Sequence, residues 1–139
     1  MRALVVEDEA VSRKMLARML AALGFEVDEV SNGQDGLSLF VSARSAGSPY
    51  AVVCLDIGLP CIDGHAILAE LRRLEAETAG STTGPAVVLM TTGVRDGRTV
   101  ARSFMGGCQA YLPKPVTLRD LTQQLQAHVD LQSVAEVGG

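Results

Sequence analysis

The amino-acid sequence predicts an α/β domain in which a doubly wound parallel β-sheet is covered by helices on both faces. Five short apolar runs alternate along the chain with five longer stretches whose apolar residues recur at helical spacing. The runs are rich in Val, as expected for strands that are buried on both faces. This alternation implies right-handed crossovers between parallel strands. The chain has 139 residues, 47% of them hydrophobic, which is enough for one core.

The elements follow in order from these patterns. The strands are predicted at residues 4–6, 27–30, 51–55, 86–90 and 110–112, each bounded by charge or Gly. The first helix carries Val11, Met15, Met19 and Leu23 along its apolar face, and Gly24 can end it. The other four helices are marked by Leu37 with Phe40, by Ile67, Leu71 and Leu74, by Val100 with Phe104, and by Leu118, Leu121 and Leu125. Asp63 can cap the third helix, and the segment 117–120 resembles a capping box that begins the fifth.

Composition and charge exclude several classes of protein. The net charge of −4 gives no general attraction to phosphate backbones or to anionic lipid. No apolar run approaches the roughly 20 residues of a membrane-spanning helix, and Glu7 comes too early for a secretory leader. The three cysteines form no CxxC pair and suit a reducing compartment. We therefore expect a cytoplasmic protein with one domain over residues 1–130 and a short tail over 131–139, without direct nucleic-acid or membrane contact.

Polar residues collect after the predicted strands, where ligands bind in an open parallel sheet. Glu7-Asp8-Glu9 follow the first strand and Asp56 follows the third. Thr91-Thr92-Gly93 follow the fourth strand, and Pro113-Lys114-Pro115 follow the fifth. Folding would bring carboxylates, hydroxyls and one ammonium to a single edge of the sheet.

The carboxylates of Glu7, Asp8 and Asp56 would repel one another at this edge, and a divalent cation would relieve the repulsion. An all-oxygen site suits Mg²⁺. The alternative for Glu7-Asp8-Glu9 is a solvated helix N-terminus, where acidic residues are favoured by the helix dipole. Asp56 is harder to explain in that way, because it ends a buried strand.

Lys114 and the threonines complete the predicted site. Lys114 is one of only two lysines and lies between two prolines, and the Lys114–Pro115 peptide bond is a candidate for the cis form. Its compact ammonium suits an anionic oxygen, although a surface lysine is the alternative. Either Thr91 or Thr92 can offer its hydroxyl, because neighbouring strand residues point to opposite faces. Strand alternation alone leaves this choice open.

In chain order, these residues resemble the receiver domain of two-component response regulators, the CheY-like family, over about residues 2–130. The resemblance is carried by five strings, Val5-Val6-Glu7-Asp8-Glu9, Leu55-Asp56-Ile57-Gly58-Leu59-Pro60, Asp63-Gly64, Thr92-Gly93 and Tyr111-Leu112-Pro113-Lys114-Pro115. It implies the flavodoxin-like strand order 2-1-3-4-5 with five helices. It also favours Thr92 over Thr91, because Thr92 precedes Lys114 by the 22 positions usual in the family.

The resemblance implies a role for each candidate. Asp56 would accept a phosphoryl group from a histidine kinase, while Glu7, Asp8, Asp56 and the carbonyl of Gly58 would hold Mg²⁺. Lys114 and Thr92 would bind phosphoryl oxygens together with the backbone at Gly58 and Gly93, and Tyr111 would be the aromatic switch. Metal and ammonium at the transferring oxygens would supply most of the catalysis. No further enzymatic activity is expected beyond self-phosphorylation and autodephosphorylation.

Three departures from the family pattern stand out. The acidic pair is Glu-Asp rather than the frequent Asp-Asp, so that Glu7 is predicted to reach the metal through water. Gly58, two residues after Asp56, offers no side chain to shield an acyl phosphate, which predicts a short phosphorylated lifetime. The interval from Asp56 to Thr92, 36 positions, is longer than usual, and the excess falls in residues 79–85.

The leading hypothesis is a stand-alone phosphorylation switch that signals by protein–protein contact. The contact face would be formed by the fourth and fifth predicted helices and the last strand, with Arg95, Arg98, Arg102 and Arg119. A second hypothesis is a phosphorelay intermediate that passes its phosphoryl group to a histidine phosphotransfer protein. A third is a receiver fragment of a larger hybrid kinase or regulator, although the Met start and short tail oppose it. An FMN-binding or haloacid-dehalogenase-type enzyme on this architecture lacks the required phosphate loop or Asp-x-Asp motif.

Overall fold

The computed structural model describes residues 1–59, 63–77, 84–93 and 106–129. The strands are β1 (Arg2–Val6), β2 (Glu26–Val30), β3 (Tyr50–Asp56), β4 (Val87–Thr92) and β5 (Ala110–Pro113). The helices within these ranges are α1 (Ala10–Ala22), α2 (Gly33–Ser45), α3 (Gly64–Glu77) and α4 (Leu118–His128). The helix predicted around Val100 and Phe104 and the predicted tail at 131–139 lie outside the described residues, so that α4 corresponds to the fifth predicted helix.

The five strands form one parallel sheet in the order β2-β1-β3-β4-β5, which confirms the predicted fold. The inner strands β1, β3 and β4 are almost continuously buried. The edge strand β2 is more exposed and carries charged residues, as is common where a strand has one open side. The runs at residues 4–6, 51–55 and 86–90 therefore mark the centre of the sheet, whereas the run at 27–30 forms a partly exposed edge strand.

Alternate strand residues pack into two separate cores. Leu4, Val53 and Met90 belong to the core that α2 and α3 cover, where Phe40 and Leu68 are fully buried. On the opposite face, side chains of β1, β3, β4 and β5 pack against Leu16 and Leu20 of α1 and Leu121 and Leu125 of α4. Helices therefore lie on both faces of the sheet, as the alternation predicts.

The predicted apolar face of α1 is wrong in its first two turns. Val11 is 64% exposed and Met15 is 50% exposed, whereas Leu16, Ala17 and Leu20 are the buried residues of the helix. A series at spacing i, i+4 advances by about 40° at each step, so it winds around the helix instead of following one face. The residues of this series that come nearest to the core, Met19 and Leu23, are only partly buried.

The predicted helix boundaries are confirmed. Gly24 follows α1 with a φ of 99°, a left-handed conformation that suits Gly. Asp63 Oδ1 accepts a hydrogen bond from the His65 N–H at 2.7 Å at the start of α3. Thr117 Oγ1 accepts one from the Asp120 N–H at 3.1 Å at the start of α4. Within the described ranges, every helix is too short or too polar to cross a membrane.

Candidate functional site

The ends of four strands meet at one edge of the sheet. Val6 of β1 pairs with Leu55 of β3, so that the following residues, Glu7 and Asp56, leave neighbouring strands at the same level. Asp56 in turn pairs with Thr91 of β4. Thr92 pairs with Pro113 of β5, which places Lys114 beside it, and the Lys114 N–H donates to the Thr92 carbonyl at 2.7 Å. The sheet register therefore brings the predicted site residues together.

Glu7, Asp8 and Asp56 form an acidic cluster whose ligand oxygens lie within 4.8 Å of one another. Glu7 is completely buried and Asp56 is 5% exposed, whereas Asp8 is exposed. The Glu7 N–H donates to the Val30 carbonyl at 3.1 Å, which extends the pairing of β1 with β2 by one residue. Glu7 Oε2 is buried and no donor among the described residues reaches it. A divalent cation with oxygen ligands fits this cluster and would satisfy that oxygen.

Lys114 bridges the two buried carboxylates. Its Nζ lies 2.5 Å from Glu7 Oε1 and 3.3 Å from Asp56 Oδ2. The lysine side chain is 24% exposed, so one side of the ammonium remains open to solvent. The peptide bond between Lys114 and Pro115 is cis, the form that the sequence analysis considered for it. The ammonium can therefore meet an anionic group that approaches Asp56 from solvent.

The pKa values of the two carboxyls move in opposite directions because their mutual contact raises that of Glu7 and lowers that of Asp56. Burial raises the pKa of Glu7, and the contact with Asp56 raises it further against the opposing effect of Lys114. Burial also disfavours ionised Asp56, but Glu7, the Gly58 N–H and Lys114 outweigh it and lower the pKa of Asp56. The contact between the two carboxyls therefore favours a proton on Glu7 over one on Asp56, and a bound cation would favour loss of that proton.

Two glycines, Gly58 and Gly64, lie close to Asp56. The Gly58 N–H donates to Asp56 Oδ1 at 3.1 Å, and Gly58 is exposed. Among the described residues, a Cβ at Gly58 would meet Asp56 Oδ1 alone, at 3.9 Å, so those residues leave this side of the carboxylate open. A Cβ at Gly64 would lie 2.4 Å from the Asp56 carbonyl oxygen, so α3 starts directly against the phosphoacceptor candidate's main chain. The sequence marked Gly64 only as part of a motif and gave no reason for it.

The strand register separates the two threonines. Met90 belongs to the core beneath α2 and α3, and Thr92, two residues further along β4, lies on the same face. Tyr111 pairs with Met90 and packs against that core, whereas Thr91 lies on the opposite face. Both threonines are buried, with exposures of 1% for Thr91 and 3% for Thr92. Thr92 therefore shares a face with Tyr111, in line with the choice that the resemblance favours.

The three consecutive acidic residues Glu7, Asp8 and Glu9 have two different roles. The Glu9 carboxylate is the N-cap of α1 and accepts hydrogen bonds from the Val11 N–H at 3.0 Å and the Ser12 N–H at 2.7 Å. The bonds from Ser12 and Val11 lower the pKa of Glu9. The interpretation as a solvated helix N-terminus is therefore right for Glu9, while Glu7 and Asp8 belong to the acidic cluster.

Comparison with known proteins identifies the family. A sequence model described as "Response regulator receiver domain" matches residues 3–126. The chain is also 34% identical to the Transcriptional regulatory protein HprR of Escherichia coli over 143 residues, which cover 100% of this chain and 58% of HprR. The chain spans about half the length of its curated relatives. The chain belongs to the receiver domain family of response regulators.

Solved structures share the fold. A response regulator receiver domain from Clostridium thermocellum superposes with a TM-score of 0.77 at 25% identity, covering 96% of this chain and 98% of that one. The receiver domain of the Saccharomyces cerevisiae response regulator Ssk1, crystallised with the histidine phosphotransfer signalling protein Ypd1, gives a TM-score of 0.80 at 22% identity. These matches cover 95% of this chain and 90% of the Ssk1 chain.

Proposed function

We propose that this domain is an aspartyl-phosphorylation switch in which Asp56 accepts a phosphoryl group from a phosphohistidine of a partner protein. The observation that carries the proposal is the Asp56 carboxylate at the sheet edge, 3.3 Å from a partly exposed ammonium and within an acidic cluster. In the transfer, the N–P bond to the partner histidine breaks and an O–P bond forms at the Asp56 carboxylate. The reaction needs positioning and charge stabilisation more than covalent chemistry from the protein.

Glu7, Asp8, Asp56 and the carbonyl of Gly58 would hold Mg²⁺, which neutralises phosphoryl oxygens when it is bound. The described cluster supports this assignment, because Glu7 Oε2 is buried and lacks a donor. Because the pKa of Glu7 is raised, a cation would compete with a proton at this carboxyl, and burial restricts movement of the side chain. Lys114, held by both carboxylates in the free domain, would exchange one of them for a phosphoryl oxygen.

The switch would follow from the same groups. A phosphoryl group on Asp56 adds nearly two negative charges beside Lys114 and Thr92. The hydroxyl of Thr92 and the backbone at Gly93 would bind a further phosphoryl oxygen, and movement of Thr92 would change the packing of Tyr111 on the same sheet face. The shared face of Thr92 and Tyr111 supports this coupling.

Receiver domains interact with histidine kinases or histidine phosphotransfer proteins, and we propose the same class of partner here. Val11 and Met15 expose apolar surface one to two turns from the acidic cluster, which supports docking of an apolar helix face at α1. The Ssk1 receiver belongs to a response regulator downstream of Ypd1, which supports a histidine phosphotransfer protein as an alternative phosphoryl donor here. A phosphorelay intermediate that passes the phosphoryl group from Asp56 to such a protein stays the second hypothesis. Output through α4 and β5 stays a proposal; Arg119 is exposed on α4, while Arg95, Arg98 and Arg102 lie outside the described residues.

Three further expectations stay predictions. They are that the chain is a stand-alone protein with its domain at residues 1–130, that it is located in the cytoplasm, and that it makes no direct nucleic-acid contact. The relative HprR is a transcriptional regulatory protein, and this chain covers 58% of its length. The mass of the native protein, measured after affinity capture from its own cells, tests the arrangement. A mass close to that of the 139 residues supports a stand-alone switch, and a mass about twice as large points to a longer regulator.

The proposed function is tested by intact-mass analysis after incubation with acetyl phosphate and Mg²⁺. We expect one phosphoryl group on the wild-type protein, none without divalent metal, and none on Asp56→Asn. Asp63→Asn is the matched control, because Asp63 is exposed in the same connection and Asn caps a helix as well as Asp does. Absence of any addition to the wild type, or addition to Asp56→Asn at the wild-type rate, would overturn the proposal.

A further inference from the structure

Arg13, on the first turns of α1, contacts the main chain of both acidic residues that follow β1. Its Nη1 donates to the Glu7 carbonyl at 3.1 Å and lies 3.4 Å from the Asp8 carbonyl. The Arg13 side chain is 18% exposed, and its contact with the Glu7 carbonyl is partly buried while that with the Asp8 carbonyl is exposed. One guanidinium group therefore holds two consecutive peptide units whose side chains belong to the acidic cluster.

Glu29 of β2 holds Arg13 from the other side. Arg13 Nε lies 3.6 Å from Glu29 Oε1, and Glu29 is itself partly buried on the edge strand. The position of the guanidinium is therefore fixed between β2 and the connection from β1 to α1. A planar, rigid group with several donors loses little freedom when it forms contacts of this kind.

The orientation of Glu7 and Asp8 depends on this connection. The Glu7 N–H is bound to Val30, and the Glu9 carboxylate is bound to the first turn of α1, so the segment is anchored at both ends. Between those anchors, the two carbonyl groups of Glu7 and Asp8 take their donor from Arg13. Without Arg13 these carbonyls would turn toward water, and the carboxylates on the same residues would turn with them.

We propose that Arg13 is a positioning residue for the cation site, with Glu29 as its anchor, and that it sets the Mg²⁺ affinity of the acidic cluster without touching the metal. This inference rests on the proposed function, since it assigns a task toward the metal of the same site. Groups that orient metal ligands from behind change metal affinity by roughly 10- to 100-fold when they are removed.

Lys14 provides a matched control. Its Nζ lies 3.1 Å from Glu29 Oε1, so it shares the same carboxylate as Arg13. Its side chain is 59% exposed, and the contacts described for it are with Glu29. Lys14→Ala removes one positive charge from the same neighbourhood while leaving the carbonyl contacts of Arg13 in place. A difference between the two alanine variants therefore measures positioning and not charge.

The experiment is titration calorimetry of the full chain with MgCl₂ on wild type, Arg13→Ala, Arg13→Lys and Lys14→Ala. We expect the Mg²⁺ Kd of Arg13→Ala to exceed that of Lys14→Ala by roughly 10-fold or more. Arg13→Lys should recover part of the affinity, because an ammonium can donate to a carbonyl but lacks the fork. Lys14→Ala should stay within about two-fold of wild type.

A second readout separates positioning from general damage. The rate of phosphoryl addition from acetyl phosphate is measured against Mg²⁺ concentration, together with the thermal unfolding midpoint. Arg13→Ala should need more Mg²⁺ for half-maximal rate while its rate at saturating Mg²⁺ stays within about three-fold of wild type. Equal Kd values for Arg13→Ala and Lys14→Ala, with wild type binding Mg²⁺, would overturn the inference alone. Absence of Mg²⁺ binding by wild type would overturn both this inference and the proposed function.

Discussion

Replacing Gly64 by Ala should disturb the main chain that carries Asp56. A Cβ at this position would lie 2.4 Å from the Asp56 carbonyl oxygen and 2.7 Å from Ile57 Cα, where ordinary contacts begin near 3.4 Å. The backbone of α3 or of β3 must therefore move by about 1 Å, since both neighbours are main-chain atoms that cannot rotate away. Overpacking of this kind costs about 1–3 kcal/mol. A Gly→Ala change returns at most about 1 kcal/mol through helix propensity and the unfolded chain.

The expected net loss is about 2 kcal/mol of unfolding free energy, which corresponds to a fall of roughly 5–10 °C in Tm for a domain of this size. Because the displaced atoms belong to Asp56 and Ile57, phosphoryl addition from acetyl phosphate should also slow by about 10-fold or more. Urea unfolding followed by circular dichroism measures the first quantity, and intact-mass time courses measure the second.

Gly84→Ala is the control for this prediction. A Cβ at Gly84 would meet no atom of the described residues within 4 Å, and Gly84 is exposed before β4. Its stability should therefore match wild type or rise by up to about 1 kcal/mol. If Gly64→Ala unfolds at the same urea concentration as Gly84→Ala and accepts phosphate at the same rate, the packing argument at the start of α3 is wrong.

Two further predictions concern the lifetime of the phosphorylated form and the titration of Tyr50 at the start of β3. Gly58→Glu should slow loss of the phosphoryl group from Asp56 several-fold, because the open side of the carboxylate becomes shielded; an unchanged half-life by intact mass, beside a Gly84→Glu control, would contradict it. Burial and the bond to Asp28 raise the pKa of Tyr50 to about 12. Because this acid is held neutral in the folded state, its contribution is complete below pH 10 and is lost as pH rises toward 12, by at most about 3 kcal/mol. Urea unfolding at pH 9 and pH 11 should show that loss in wild type and a smaller one in Tyr50→Phe, and equal losses would count against the assignment.

Much of the fold could be predicted because strand burial on both faces leaves a plain sequence signal. The run at residues 51–55 became β3 at Tyr50–Asp56, and the run at 86–90 became β4 at Val87–Thr92, both almost continuously buried. Caps at Asp63 and Thr117 could also be predicted, since their hydrogen bonds are local. The prediction that Val11 and Met15 are buried was wrong because an i, i+4 series drifts by about 40° at each step and does not follow one face of α1.

The candidate site divides in the same way. The sequence predicted that Glu7, Asp8, Asp56, Thr92 and Lys114 meet at one edge, because in a parallel sheet every strand ends on the same side. It could not predict that Glu9 turns away to cap α1, since three adjacent acidic residues look alike until their φ and ψ values are set. Nor could it choose the face of Thr92, which the pairing of β4 with β5 decides.

By itself, the sequence determined the fold class, the family and the identity of the acidic and basic groups at the sheet edge, because these follow from local periodicity and from residue order. Only the tertiary structure decided how these groups differ in burial, in pKa and in their contacts. The contact between the two carboxyls raises the pKa of Glu7 and lowers that of Asp56, whereas burial raises both values and Lys114 lowers both. Gly64 of α3 contacts the main chain of Asp56 at the end of β3. Arg13 of α1 donates hydrogen bonds to the carbonyls of Glu7 and Asp8, which follow β1. Such contacts depend on distances of a few ångströms between elements, which no single stretch of residues encodes.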